Sequence, residues 1–141
     1  MSIWKFTPNI EMLNSTSVKT MGQHLGIEFT EVGDDYIKAT MPVDERTVQP
    51  YGVLHGGANV TLAETLGSVA GGCCVDYPKQ GVVGVEINAN HLKGVKSGLV
   101  EGIARPIRIG KTIHVWEIKI YDDKKDLSCI SRLTLAVISL G

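Results

Sequence analysis

The chain has few aromatic residues, few cysteines and no excess of either charge, and each shortage excludes a class of protein. Only 6% of its 141 residues are aromatic, too few for a base-stacking platform. Lys and Arg number 14 against 15 Asp and Glu, so no basic excess draws the chain to nucleic acid or to anionic membranes. No apolar run approaches the roughly 18 residues of a membrane span. The first residues, Met1 to Phe6, lack the apolar stretch of a secretory signal. Cys73, Cys74 and Cys129 are odd in number and sit in apolar segments, which favours reduced core thiols over a disulfide framework. Two adjacent cysteines without a second pair do not make a zinc site. Phosphate-loop, dinucleotide and serine-hydrolase signatures are also missing. These features describe a cytoplasmic protein with no metal and no cofactor.

Glycine, by contrast, is plentiful at 16 residues. A modest helix is expected from about Ile10 to His24, and a strand from Tyr36 to Val43. A loop from Thr47 to Gly56 then leads into a long apolar helix reaching about Val75. Four strand-like runs follow, Gly81–Leu92, Gly98–Ile109, Thr112–Tyr121 and Leu127–Ser139, joined by turn residues. Val85, Ile87, Ala89 and His91 alternate onto one face, and Thr112, His114, Trp116, Ile118 and Ile120 form a similar row. One long helix followed by antiparallel strands predicts a single α+β domain over 1–141, its sheet wrapped around that helix. Gly67, Gly71 and Gly72 each cost about 1 kcal/mol against Ala inside a helix, so something must approach that face closely.

Glu64 is the only side chain between His55 and Asp76 that is charged at neutral pH. A carboxylate is rarely buried without a partner, so this one is either paired with a sheet Lys or Arg at the helix rim or kept for chemistry. Ser68 lies one turn beyond it and offers a hydroxyl. Upstream, Gln49-Pro50-Tyr51-Gly52-Val53-Leu54-His55-Gly56-Gly57 brings an amide and side-chain-free backbone to the start of the same helix. Free N–H groups and the helix dipole favour negative charge there. Glu64 stands eight residues after Gly56, about 12 Å along a helix. An attacking group and an oxyanion donor must both reach one carbonyl within about 3 Å. One helix cannot supply both, so if both groups act, two antiparallel copies must share each site across a two-fold axis. His91 closes a strand, where a lone histidine is more often structural. His24 and His114 show no partner and are expected to be structural. Lys93 and Lys111, on strand ends expected to be near each other, have the charge to hold phosphate groups.

The same residues resemble the hotdog-fold acyl-CoA thioesterases. Within them the chain looks most like the bacterial 1,4-dihydroxy-2-naphthoyl-CoA hydrolases of menaquinone biosynthesis and their enterobactin proofreading relatives. The resemblance rests on Ile3-Trp4-Lys5, Ala39 to Asp44, Gln49 to Ala58, Leu62-Ala63-Glu64, Gly67 to Gly71, Glu86 to His91 and Ser131 to Thr134. It implies Glu64 as base or nucleophile, Gly56 as backbone oxyanion donor, Gln49 as polarising amide and Ser68 as the residue that places water. His55, His91, Lys93, Lys111 and Thr112 would line the acyl or CoA path. The implied assembly is a homodimer, commonly paired into a tetramer, and the implied reaction is hydrolysis of an aromatic acyl-CoA. Lys93, where arginine is usual, and Gly94-Val95 depart from the subgroup pattern. A thioesterase acting on carrier-protein thioesters, a non-catalytic acyl-CoA-binding protein and a hydratase are the alternatives.

Overall fold

The computed structural model describes residues 1–141. Asn9 caps α1 (Ile10–Thr16), its side chain accepting from the Met12 N–H, and Thr20 caps α2 (Met21–His24) in the same way from Gln23. The single helix expected over this stretch is therefore two. Lys19 takes a φ of 64°, a left-handed turn that no continuous helix accommodates. The Asn14 side chain then both donates to the Phe29 carbonyl and accepts from the Phe29 N–H. That clamp fixes β1 (Glu28–Val32), a short edge strand that lacks apolar alternation because only Phe29 is buried.

The remaining elements are β2 (Ile37–Pro42), α3 (Gly56–Gly72), β3 (Gln80–His91), β4 (Leu99–Ile109), β5 (Ile113–Tyr121) and β6 (Leu127–Ser139). All strand pairs are antiparallel, in the order β1-β2-β4-β5-β6-β3. This is the expected α+β plan, a curved sheet around one helix. The helix ends three residues earlier than expected. Cys73 caps it, and the chain turns towards β3 through Val75 and Asp76.

α3 buries Ala58, Asn59, Leu62, Ala63, Leu66, Gly67, Ala70 and Gly71, the 3–4 spacing of one helical face. Opposite them lie Ile37, Ala39 and Met41 of β2, Trp116, Ile118 and Ile120 of β5, and Leu133 and Leu135 of β6. A Cβ on Gly67 would stand 2.6 Å from Leu133 Cδ2, and one on Gly71 only 2.4 Å from Leu135 Cδ1. These two glycines let the helix lie on its own sheet, whereas Gly72 faces open space. The three cysteines are free and buried, and burial pushes their thiols up to between about 11 and 12. They are core residues, not nucleophiles.

β3 crosses the far side of the sheet and pairs only with β6, leaving its other edge open over 12 residues. A bulge between Gly84 and Glu86 interrupts its alternation. Ile87 and Ala89 pack on the core, but Val85 is 60% exposed and leaves the face it was expected to share.

Candidate active site

The loop before α3 is a closed structure. Val48 and Leu54 form a bridge, the His55 N–H donates to the Thr47 carbonyl, and buried Leu54 anchors the tip to the core. This delivers His55 as the N-cap of α3, its Nδ1 accepting from the Gly57 N–H at 2.8 Å. The N–H groups of Ala58 and Asn59 donate to the His55 carbonyl at 3.0 and 3.2 Å. Of the four N–H groups that open the helix, only that of Gly56 has no partner in the chain. Gly56 is thus a single, directional donor at the positive end of a 17-residue helix.

Gln49 sits in the same loop. Its Oε1 accepts from the Tyr51 N–H, which orients the carboxamide and leaves its NH2 group to donate. His91 reaches the site from the end of β3. A Cβ on Gly56 would fall 2.9 Å from His91 Nε2, so the imidazole occupies the space a side chain at 56 would take. Asn59 lies beneath that ring, 4% exposed, with Nδ2 3.4 Å from His91 Nδ1. Its Oδ1 is the one buried side-chain polar atom without a hydrogen-bond partner. An orphan of that kind costs about 1–3 kcal/mol.

Two turns further along, Glu64 is half-buried and belongs to none of the ion pairs. The structure therefore excludes the rim pairing with a sheet cation. Gly84 of the β3 bulge makes room for the carboxylate, since a Cβ there would stand 2.7 Å from Glu64 Oε2. Glu64 and Ser68 open onto a cleft of about 410 Å3 roofed by Thr20, Met21 and Ile27. The sequence reading missed this roof, which belongs to the α1–α2 elbow. It also missed Asn59, although an amide in phase with Leu62, Ala63 and Leu66 marks a polar group on the buried face.

Lys93 and Lys111 do not come together within the chain. β3 runs in the direction of β5, so its end carries Lys93 to one end of the sheet, while Lys111 precedes β5 at the other. The nine residues of β5 separate them by about 26 Å. The expectation of neighbouring strand ends failed because β4 runs the length of the sheet between them, so the segment after β3 and the turn between β4 and β5 lie at opposite ends. Lys93 is also occupied, with Nζ 2.7 Å from Asp122 and 2.6 Å from Asp126. Lys111 and Thr112 are exposed, and Lys111 lines a cleft of about 340 Å3 with Lys5, Gln80 and His114. His114 itself is buried against Trp116, and burial holds its imidazole below the ordinary value.

Residues 51–129 match the thioesterase superfamily. The chain belongs to that superfamily. It is 49% identical to the 1,4-dihydroxy-2-naphthoyl-CoA hydrolase of Escherichia coli, covering 96% of this chain and 99% of the relative. It is 52% identical to the proofreading thioesterase EntH of Cronobacter turicensis, covering 96% and 98%. A crystal structure of a thioesterase from Haemophilus influenzae superposes with a TM-score of 0.95 at 52% identity, over 98% of this chain and 96% of the other. A glutamine-to-alanine variant of a Pseudomonas aeruginosa thioesterase superposes with a TM-score of 0.97 at 50% identity, over 99% and 100%. This thioesterase is therefore a hydrolase with the hotdog architecture. No helix in it is long and apolar enough to cross a membrane.

Proposed function

We propose that the chain hydrolyses an aromatic acyl-CoA to the free acid and coenzyme A, with 1,4-dihydroxy-2-naphthoyl-CoA of menaquinone biosynthesis as the best candidate substrate. The observation that carries this reading is the pairing of one free helix-start N–H at Gly56 with one unpaired carboxylate at Glu64. The thioester oxygen takes the Gly56 N–H and the Gln49 amide, and charge builds there as the carbonyl becomes tetrahedral. Glu64 removes a proton from water held by Ser68 as that water attacks, and the tetrahedral intermediate expels the CoA thiolate, which takes that proton. In the other route Glu64 attacks the carbonyl, CoA leaves, and water then cleaves the mixed anhydride to the free acid. His55 and His91 flank the thioester. Two solved variants of a Staphylococcus aureus thioesterase support the assignment, since a glutamate and a glutamine were each replaced by alanine at the sequence spacing of Gln49 and Glu64.

The sites are shared between two copies. Gly56 and Glu64 are about 12 Å apart along one helix, and the open edge of β3 with exposed Val83 and Val85 suits pairing with a second β3. An antiparallel pair brings the Lys111 end of one chain beside the His91 end of the other. Lys111 and Thr112 then meet the CoA phosphates, while Lys93, held by its two aspartates, does not. Further pairing of dimers into a tetramer fits this arrangement.

The aryl preference rests on the hydrolase relative and on the cleft beside Glu64. Gly67, Ala70 and Gly71 do not support it, because all three are buried against the sheet. Dihydroxynaphthoyl- or hydroxybenzoyl-CoA should exceed acetyl- and butyryl-CoA in kcat/KM by at least about tenfold, or roughly 1.4 kcal/mol. Equal efficiency on acetyl-CoA removes the aryl assignment. The EntH relative favours a second reading, aryl groups on a carrier protein. Matched CoA and carrier-protein thioesters of one acid decide between the two.

A further inference from the structure

We propose that Asn59 is a positioning residue, holding His91 so that its Nε2–H joins the Gly56 N–H as a second donor to the thioester oxygen. The proposal rests on the site described above and adds to it a residue with no other evident use. Asn59 faces the core among Leu62, Ala63 and Leu66, where an apolar side chain would pack without stranding a polar atom. Its Oδ1 finds no donor, so the amide does not serve the stability of the core. The other half of the carboxamide does have a partner. Nδ2 faces His91 Nδ1 at 3.4 Å, and no other side chain of the protein bonds that ring.

An amide N–H donating to Nδ1 leaves the proton of neutral imidazole on Nε2. That nitrogen lies beside Gly56, whose N–H is the free donor of the helix. Two donors from different elements, α3 and the end of β3, thus lie side by side, and in the proposal they serve one oxygen. Asn59 stays beneath the ring and does not itself touch the substrate.

Three measurements on the intact protein test this. With 15N-labelled histidine, His91 should show the Nε2–H tautomer, and Asn59→Leu should give a mixture. A predominant Nδ1–H form in the wild type overturns the proposal. Asn59→Leu should melt no lower than wild type yet lose about 10- to 100-fold in kcat, the range for groups that orient a histidine. A lower Tm with unchanged kcat would make Asn59 structural and end the proposal. In the His91→Ala background, Asn59→Leu should cost nothing further in kcat, and additive losses would overturn it. Asn59→Ser carries the same cycle if the leucine variant fails to assemble. Glu64→Ala separates the two layers. Full turnover in that variant removes the underlying site, whereas an inactive Glu64→Ala with an additive cycle removes only the role of Asn59.

Discussion

The Lys93 ammonium sits 2.7 Å from the buried carboxylate of Asp122, which also accepts from the backbone N–H groups of Lys124 and Asp126. A lysine so held locks the turn after β3 to the end of β5, and its charge is already answered. Lys93 and Lys111 therefore carry different predictions.

Lys111→Ala should raise KM for CoA thioesters by several-fold with kcat little changed, the signature of lost uniform binding. Lys93→Ala should leave KM within about twofold and lower Tm instead. Asp122 is held below the ordinary carboxylate range, first by Lys93 and then by the backbone N–H of Asp126. Its stabilisation is present above the unfolded value near pH 3.9 and is lost as pH falls below that. Lys93 is held above the ordinary lysine range, chiefly by Asp122, so its share fades only as pH rises past about 10.4. The Tm gap between wild type and Lys93→Ala should hold from about pH 5 to 10 and close in acid. A gap that persists unchanged at pH 2 would show that the ion pair is not its source.

Glu64→Ala should lower kcat by about 100- to 10,000-fold, the range for a positioned acid–base group, with the Tm of the wild type. The basis is a half-buried carboxylate that no cation neutralises. Steady-state turnover near the wild-type rate removes Glu64 from the mechanism.

A mixed dimer should regain activity that both parents lack. Gly56→Pro deletes the free N–H and pushes the His91 ring aside, which disables the oxyanion side of the site. The substitution suits the backbone at the first helical position, after a His55 already extended at φ −66° and ψ 133°. Combined with a Glu64→Ala subunit, it leaves one intact site per heterodimer. If correctly assembled heterodimers stay as inactive as both homodimers, Gly56 and Glu64 do not work across the interface.

Gly71→Ala and Gly72→Ala should move stability in opposite directions. The first places a methyl 2.4 Å from Leu135 Cδ1 in a closed core and should cost about 1–2 kcal/mol net of the better helix propensity. The second meets open space and should stabilise by up to about 1 kcal/mol. Denaturant titrations of both variants check the pair, and equal effects would show that the helix is not seated as described.

Sequence alone was enough for the elements whose burial is one-sided. The row of His114, Trp116, Ile118 and Ile120 and the glycine-marked helix reveal a sheet on a helix because alternation and periodicity are written residue by residue. Glu64 stood out as one charge in an apolar run, and Gly56 as side-chain-free backbone at a helix start. β1 stayed hidden because its order comes from the Asn14 clamp, and the break between α1 and α2 because Lys19 turns left-handed without a glycine. Only the tertiary structure decided that β3 crosses to the far edge and sets His91 over Gly56. Only it showed that Gly56 has the sole unspent N–H at the start of α3, that Glu64 has no cation, and that Asn59 lies under His91. The physical reason is that periodicity is a local property of the chain, whereas strand order and hydrogen-bond partners join residues far apart in it and exist only once the sheet has closed.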